Sequence, residues 1–262
     1  MSKIIPLKRF GQNYLQDQNI IRKIISEIKP KENDVIIEIG PGEGALTQYL
    51  VDYNSAFYAV EIDKRVIDNL TNRFSEIKII QQDFLEIDLP DIFQENKNKI
   101  RIVGNIPYNI TSPIIFKLFD NNTIIEDAVL MVQYEVAKRM TAKTGTKDYG
   151  ILSVLLNYFG KSELAFKVSR NVFYPKPNVD SAVVHLYFDE KRTDTEFNSI
   201  FKSVVKSSFG NRRKILKNSL SNSIFADIDF SGCSIDLSNR AEQLNVDDFI
   251  NLAKFVQQNK SG

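Results

Sequence analysis

The sequence predicts an α/β protein: a mostly parallel sheet with helices on both faces, followed by a small all-helical C-terminal domain. Three observations carry this reading. Short β-branched apolar runs alternate with amphipathic helical stretches as far as Phe188. A glycine-rich turn, Gly40-Pro41-Gly42-Glu43-Gly44, follows the first such run and opens a helix. Beyond Asp189 only helical periodicity remains.

The elements follow in order. Asp17 caps a helix in which Ile20, Ile21, Ile24, Ile25 and Ile28 recur at helical spacing, with Pro30 just past its end. Residues 35–39 form the first strand, and the glycine turn leads into a helix from about Ala45. A second strand spans 56–62, a helix 64–74 and a third strand 78–82. The fourth strand, 100–103, is ended by Gly104, and an apolar helix starts near Pro113. A fifth strand covers 127–132 with a helix behind it. A polar loop over 143–150 and a helix over 149–158 precede two more strands, 164–173 and 182–188. After the polar seam 191–194, Phe197, Phe201, Val204 and Val205, then Ile215, Leu216 and Leu220, mark helices. The expected domains are therefore 1–190 and 191–262.

Composition narrows the classes. The chain has 262 residues, 43% hydrophobic and 26% charged, enough for one large domain or one medium and one small. No apolar run approaches the roughly 20 residues of a membrane span, and no secretory core is visible near Met1, so a cytoplasmic location is expected. Cys233 and His185 are the single cysteine and histidine, which excludes an internal disulfide and argues against zinc or a histidine triad. No metal is expected. The net charge of +1 is uninformative, but its distribution is not. Residues 197–226 contain no acid, while Lys202, Lys206, Arg212, Arg213, Lys214 and Lys217 all fall there, and Lys3, Lys8 and Arg9 open the chain. Such concentration suits a phosphate backbone; a solvated helix face balanced elsewhere is the alternative.

Chemistry gathers at strand ends. Glycines after the first strand let the backbone approach a ligand closely, and their G-x-G-x-G spacing differs from the dinucleotide pattern. Glu61 ends the second strand, where a carboxylate can take ribose hydroxyls; Asp83 ends the third, where one can take an adenine amine. The implied ligand is an adenosine with no pyrophosphate clamp, and S-adenosylmethionine is the first choice. Asn105-Ile106-Pro107-Tyr108 follows the fourth strand. An exocyclic amine on adenine or cytosine must turn from planar toward tetrahedral to accept a methyl group. The Asn105 carbonyl and a main-chain carbonyl beside Pro107 can accept its two N–H bonds and stabilise the charge developing on nitrogen. Pro107 fixes the turn, and Tyr108 offers an aromatic face to an extruded base. Phe173, ahead of Tyr174-Pro175-Lys176-Pro177, can cover the opposite face of that base, or else close the sheet edge as a core residue.

Together these stretches resemble the small-subunit ribosomal RNA adenine N6-dimethyltransferases, the KsgA-type family. The resemblance spans nearly the whole chain: Phe10-Gly-Gln-Asn-Tyr-Leu15, Glu38-Ile-Gly-Pro-Gly-Glu-Gly44, Glu61-Ile-Asp63, Gln82-Asp-Phe84, residues 104–113, 148–154 and 173–183, Phe209-Gly-Asn-Arg-Arg-Lys214 and Arg240-Ala-Glu-Gln-Leu244. It implies a Rossmann-like, seven-stranded class I methyltransferase sheet with a helical C-terminal domain. It implies cofactor contacts at Asn13, Leu15, Gly40, Glu61, Asp83 and Asn105, and a target base stacked by Tyr108 and Phe173. It implies dimethylation of two adjacent adenines near the 3′ end of 16S rRNA within a 30S assembly intermediate, by a monomer. Tyr14 stands where the family usually has Phe, and Gly210-Asn211 where Ser-Gln is commoner. Two other readings stay open: a large-subunit rRNA methyltransferase of the macrolide-resistance type, favoured by Ile106, and a non-catalytic rRNA-binding assembly factor on the same fold.

Overall fold

The computed structural model describes residues 5–7, 11–53, 56–75, 77–93, 98–211 and 213–259. The chain divides into two compact units, Met1–Ala137 with Glu163–Phe188, and Lys138–Ser162 with Asp189–Gly262.

In the first unit, β1 (Tyr14–Leu15) precedes α1 (Gln18–Ile28), whose first turn is capped by Asp17 accepting from the Asn19 and Ile20 amides. Then come β2 (Val35–Ile39), the short α2 (Thr47–Leu50), β3 (Ala56–Val60), α3 (Lys64–Arg73), β4 (Lys78–Ile80) and α4 (Leu89–Phe93). β5 (Ile100–Asn105) leads through a 3₁₀ turn, Tyr108–Ile110, into α5 (Thr111–Asp120), and β6 (Ile125–Gln133) follows. The chain continues through α6 (Tyr134–Met140), which runs into the second unit, and α7 (Ile151–Phe159), which belongs to it; β7 (Gly160–Val168) returns to the first unit, followed by β8 (Phe173–Tyr174) and β9 (Ser181–Phe188).

Seven strands form one sheet in the order β4-β3-β2-β5-β6-β9-β7. β4, β3, β2, β5 and β6 run parallel to their neighbours, and β9 lies antiparallel to β6. β2 is buried at every position, as a central strand covered on both faces must be. A separate two-stranded ribbon pairs Tyr14 with Tyr174 and Leu15 with Phe173.

β5 does not stop at Gly104 as the sequence predicts; it continues to Asn105. A Cβ on Gly104 would lie 2.6 Å from the Ile39 carbonyl oxygen, so the glycine is there for close approach of β5 to β2, not for a turn.

The second unit holds α8 (Thr195–Ser208), α9 (Leu216–Ser221) and α10 (Val246–Asn259), with α8 packed on α7, α9 and α10. Residues 138–162 go with these helices and not with the sheet domain expected to run to 190. The cause is aromatic: Tyr158 of α7 stacks on Phe201 of α8 at 3.8 Å, and its hydroxyl donates to Asn198 Oδ1. Tyr149 donates to the Leu244 carbonyl and lies edge-on to Phe209. Among the described residues no helix is long and apolar enough to cross a membrane.

Candidate active site

The strand order reverses direction at β2 and β5: β3 and β4 extend one way from β2, β6 the other. Open α/β sheets bind ligands beyond the C-terminal ends of strands at such a switch. Here those ends carry Gly40 after β2, Glu61 after β3, Asp83 beyond β4 and Asn105 on β5, and all four line one cleft. Gly40 has φ of +63°, and a Cβ there would meet nothing within 4 Å, so the turn opens onto free space.

The N-terminal segment forms the opposite wall. Gln12 donates to Asp63 Oδ2, Asn13 donates to the Gly11 carbonyl, and the Asn13 carbonyl accepts from Asn105 Nδ2 at 2.8 Å. The last bond fixes the orientation of the catalytic candidate. A carbonyl can only accept, so the Asn105 amide nitrogen must face Asn13, which leaves Oδ1 as the acceptor free for a ligand.

Next in the chain, the Pro107 carbonyl accepts from the Ile110 amide at 3.2 Å and the Thr111 hydroxyl at 3.4 Å, which start the following helix. Among the described residues nothing donates to the Ile106 carbonyl, and Ile106 lines the cleft. Of the carbonyls beside Pro107, Ile106 therefore supplies the open acceptor. Tyr108 is positioned by a 2.6 Å hydrogen bond between its hydroxyl and that of Ser181 at the start of β9.

Four carboxyl groups line the cleft, from Glu38, Glu43, Glu61 and Asp83, and among its described lining residues there is no Lys, Arg or His. Glu61 Oε1 accepts from the Ile62 and Asp63 amides at 2.8 and 2.9 Å. Burial pushes its carboxyl above the usual range, and the backbone bonds from Asp63 and Ile62 oppose that. Asp63 is pulled down, first by the Arg65 side chain that grips both of its oxygens. Asp83 Oδ1 caps a short 3₁₀ turn through the Leu85 amide.

Glu38 was not among the residues the sequence singles out for a role, because a lone acid inside a strand carries no pattern. It is fully buried on β2, bonded by the Thr47 hydroxyl at 2.7 Å, and burial raises its pKa to about 7 against the pull of Thr47. The folded chain therefore keeps this proton where the unfolded chain has lost it, so stability falls as pH rises from about 4.5 to about 7. Glu38→Gln is expected to remove that decline. Its advantage over wild type in urea unfolding should be about 2–3 kcal/mol greater at pH 8 than at pH 5. An advantage equal at both pH values would place the raised proton elsewhere.

Asn13, Leu15, Gly40, Glu61, Asp83, Asn105, Pro107 and Tyr108 all line the cleft. Phe173 does not. It is 5% exposed and packs in the core with Leu15, Val168 and Val183, opposite Leu15 in the two-stranded ribbon. In this structure it is a core residue beside the strand that carries the cleft wall. Arg213, Lys214 and Lys217 are exposed in the second unit; Arg212, and Lys3, Lys8 and Arg9, lie outside the described residues. Sequence reasoning also missed Gln12, whose tie to Asp63 is a contact across 51 positions with no local signal.

The ribosomal RNA adenine dimethylase family matches residues 7–258. "Ribosomal RNA small subunit methyltransferase A" of Chlorobium phaeobacteroides (strain BS1) is 44% identical over 258 residues, 97% of this chain and 94% of the relative. Its namesake in Francisella tularensis subsp. novicida is 42% identical over 95% of this chain and 97% of the relative. Among solved structures, a dimethyladenosine transferase from Plasmodium falciparum aligns with a TM-score of 0.80 and 27% identity, covering 94% of this chain and 98% of that one. The 23S rRNA methyltransferase ErmE aligns with a TM-score of 0.68 and 26% identity over 94% of this chain and 100% of that one.

Proposed function

The chain belongs to the ribosomal RNA adenine dimethylase family, and from that premise we propose how its cleft works and on what. The protein is an S-adenosylmethionine-dependent 16S rRNA (adenine-N6)-dimethyltransferase, adding two methyl groups to each of two adjacent adenines in the 3′-terminal hairpin. One observation carries the assignment of the site: a cleft lined by four carboxyl groups, with no basic side chain among its described residues, runs from the glycine turn to Asn105. A ligand with net positive charge suits it, and a dinucleotide with its phosphates does not. Relatives named for the small subunit at 42–44% identity, against 26% for the 23S rRNA methyltransferase, favour this reading over the large-subunit and non-catalytic ones.

S-adenosylmethionine, when bound, supplies an electrophilic methyl group. Gly40 would give it room at the turn, Leu15 and Asn13 would wall it in, Glu61 would hold the ribose and Asp83 the adenine amine, all of them residues that line the cleft. Asn105 Oδ1 and the Ile106 carbonyl accept hydrogen bonds from the two N–H groups of the target amine and so draw its lone pair out of the ring, toward the methyl group that the bound cofactor would give up from its sulfonium, with the thioether as leaving group. The surplus proton then leaves to water, so no general base is required. Tyr108, held by Ser181, stacks on the extruded adenine.

The second unit binds the RNA, Arg212 being assigned with its neighbours on sequence alone. Arg213, Lys214 and Lys217 are exposed, and among the described residues their side chains have no acidic partner. Replacing Arg213 and Lys214 by alanine should weaken rRNA binding and flatten its salt dependence by about two in the slope of log affinity against log salt. An unchanged slope would make them a solvated face. We further assign the substrate to a 30S assembly intermediate, the enzyme to the cytoplasm and its working form to a monomer. The deciding experiment incubates the protein and S-adenosylmethionine with small subunits that lack the modification, then maps methyl groups by mass spectrometry of rRNA fragments. Absence of any dimethyladenine would overturn the assignment.

A further inference from the structure

Gln12 ties the N-terminal wall of the cleft to the turn after β3. Its Nε2 donates to Asp63 Oδ2 at 3.1 Å, and its Oε1 accepts from the Leu7 amide at 2.8 Å. Asp63 is 4% exposed and also accepts from the Arg65 side chain, whose Nη1 donates to the Ile5 carbonyl at 3.1 Å. The Ile5 carbonyl and the Gln12 side chain thus both hang from Asp63 and Arg65. At its other end the segment meets the catalytic turn. The Asn13 carbonyl accepts from Asn105 Nδ2 at 2.8 Å, and a Cβ on Gly11 would lie 3.2 Å from Asn109 Oδ1 and 3.5 Å from Pro107 Cβ.

We propose that Gln12 and Asp63 form a clasp that positions the Asn13 carbonyl and, through it, the side-chain amide of Asn105. Both act on the reaction through Asn105, so they are positioning residues, and the inference rests on Asn105 being the acceptor assigned above. The ribbon begins only at Tyr14, so Asn13 stands at the edge of regular pairing, and the direction of its carbonyl depends on what holds the residues before it. If that carbonyl turns away, the Asn105 amide loses the partner that keeps Oδ1 aimed at the target amine. A misplacement of about 1 Å at such a group costs on the order of a hundredfold in rate. Gln12 suits the task because one side chain carries a donor for the carboxylate and an acceptor for the Leu7 amide. Asp63 suits it because a buried carboxylate needs its lone pairs filled, and the N-terminal segment fills one of them.

The test exchanges donor and acceptor in the full-length protein. Gln12→Glu sets two carboxylates against each other. Asp63→Asn keeps an oxygen for the Arg65 amide at the start of α3 but presents an N–H donor to Gln12 Nε2. In the double variant Gln12→Glu/Asp63→Asn, the new amide at position 63 donates to the new carboxylate at position 12, whose other oxygen still accepts from the Leu7 amide. The net charge of the pair is then that of wild type. Single-turnover methyl transfer to unmodified rRNA, at saturating S-adenosylmethionine, should fall about tenfold or more in each single variant and return to within about threefold of wild type in the double. In an Asn105→Ala background, Gln12→Glu should cost less than about twofold, because the group it positions is already gone. Wild-type rates in both single variants overturn the proposal, since the ribbon alone would then set the Asn13 carbonyl. A double variant as slow as the slower single overturns it too. So does a loss that persists undiminished without Asn105, which would make the clasp merely structural. If wild type itself transfers no methyl group, the reading of the cleft falls first, and this inference with it.

Discussion

Asn105→Ala is expected to slow methyl transfer about a hundredfold to a thousandfold, with rRNA affinity changed by less than about threefold. The effect is large because the group acts only as charge develops. In the ground state the adenine amine is nearly planar and its N–H bonds need little help. As the methyl group arrives, positive charge builds on nitrogen, and an acceptor already in place lowers that barrier without reorganising. Asn105 is in place because its Nδ2 is committed to the Asn13 carbonyl at 2.8 Å. Asn105→Asp is expected to fail as well, since a carboxylate cannot donate to that carbonyl and would repel it. After one transfer the amine has a single N–H, so the second transfer uses one acceptor fewer and leans more on stacking by Tyr108. Single-turnover rates on unmodified and monomethylated rRNA, at saturating cofactor, measure both steps. A normal first-transfer rate in Asn105→Ala would overturn the mechanism.

The catalytic strand shows what a sequence can and cannot display. Gly40, Glu61, Asp83 and Asn105 were legible because parallel strands put their chemistry at one end, and that follows from strand order alone. What Gly104 does was not legible. Its neighbour is a carbonyl on another strand, 65 positions back in the chain, and from sequence a glycine after a β run reads as a stop. The ribbon pairing Tyr14–Leu15 with Phe173–Tyr174 has two residues a side, too few for any periodicity, yet it holds Phe173 in the core. The grouping of 138–162 with the C-terminal helices was hidden for the same reason: Tyr158 and Phe201 stack across a gap in sequence that contains three strands. Local pattern found β5 and α7 to within a residue or two, but it ran one strand over 164–173 where β7 ends at Val168 and Phe173–Tyr174 is a separate strand, it missed β1, and it was silent about every partner.

Arg101 sits at the start of the strand that ends in Asn105, so its loss should damage stability far from the chemistry. Its guanidinium grips Asp127 of β6 with Nε and Nη2 at 2.8 and 2.6 Å, reaches Asp34 at 2.8 Å, and bonds the Ile28 and Lys29 carbonyls at the end of α1. His185 of β9 completes the cluster, 2.9 Å from Asp127 and 2.8 Å from Glu27. Burial pushes Asp127 up, but Arg101 and His185 outweigh it and hold the carboxyl below its ordinary range. Burial pushes His185 down, and Asp127 and Glu27 outweigh that, so its pKa is raised. The His185 contribution is thus complete below its unfolded value of 6.5 and is lost as pH rises through the higher folded value. The Asp127 contribution is present above 3.8 and is lost as pH falls through its depressed folded value. Removing one partner of a buried pair leaves a charge uncompensated, so Arg101→Ala should cost about 3–5 kcal/mol in urea unfolding at pH 7.5. Without the guanidinium, burial gains the upper hand at Asp127 and favours its neutral form. The deficit should therefore shrink toward pH 4.5, where the variant takes up the proton that wild type excludes. Folded Arg101→Ala should still bind S-adenosylhomocysteine as wild type does, because Asn105 is held by the Asn13 carbonyl and Glu61 by the Ile62 and Asp63 amides, not by this cluster. A deficit that is the same at every pH would mean the loss is packing alone, with no part for the ion pair.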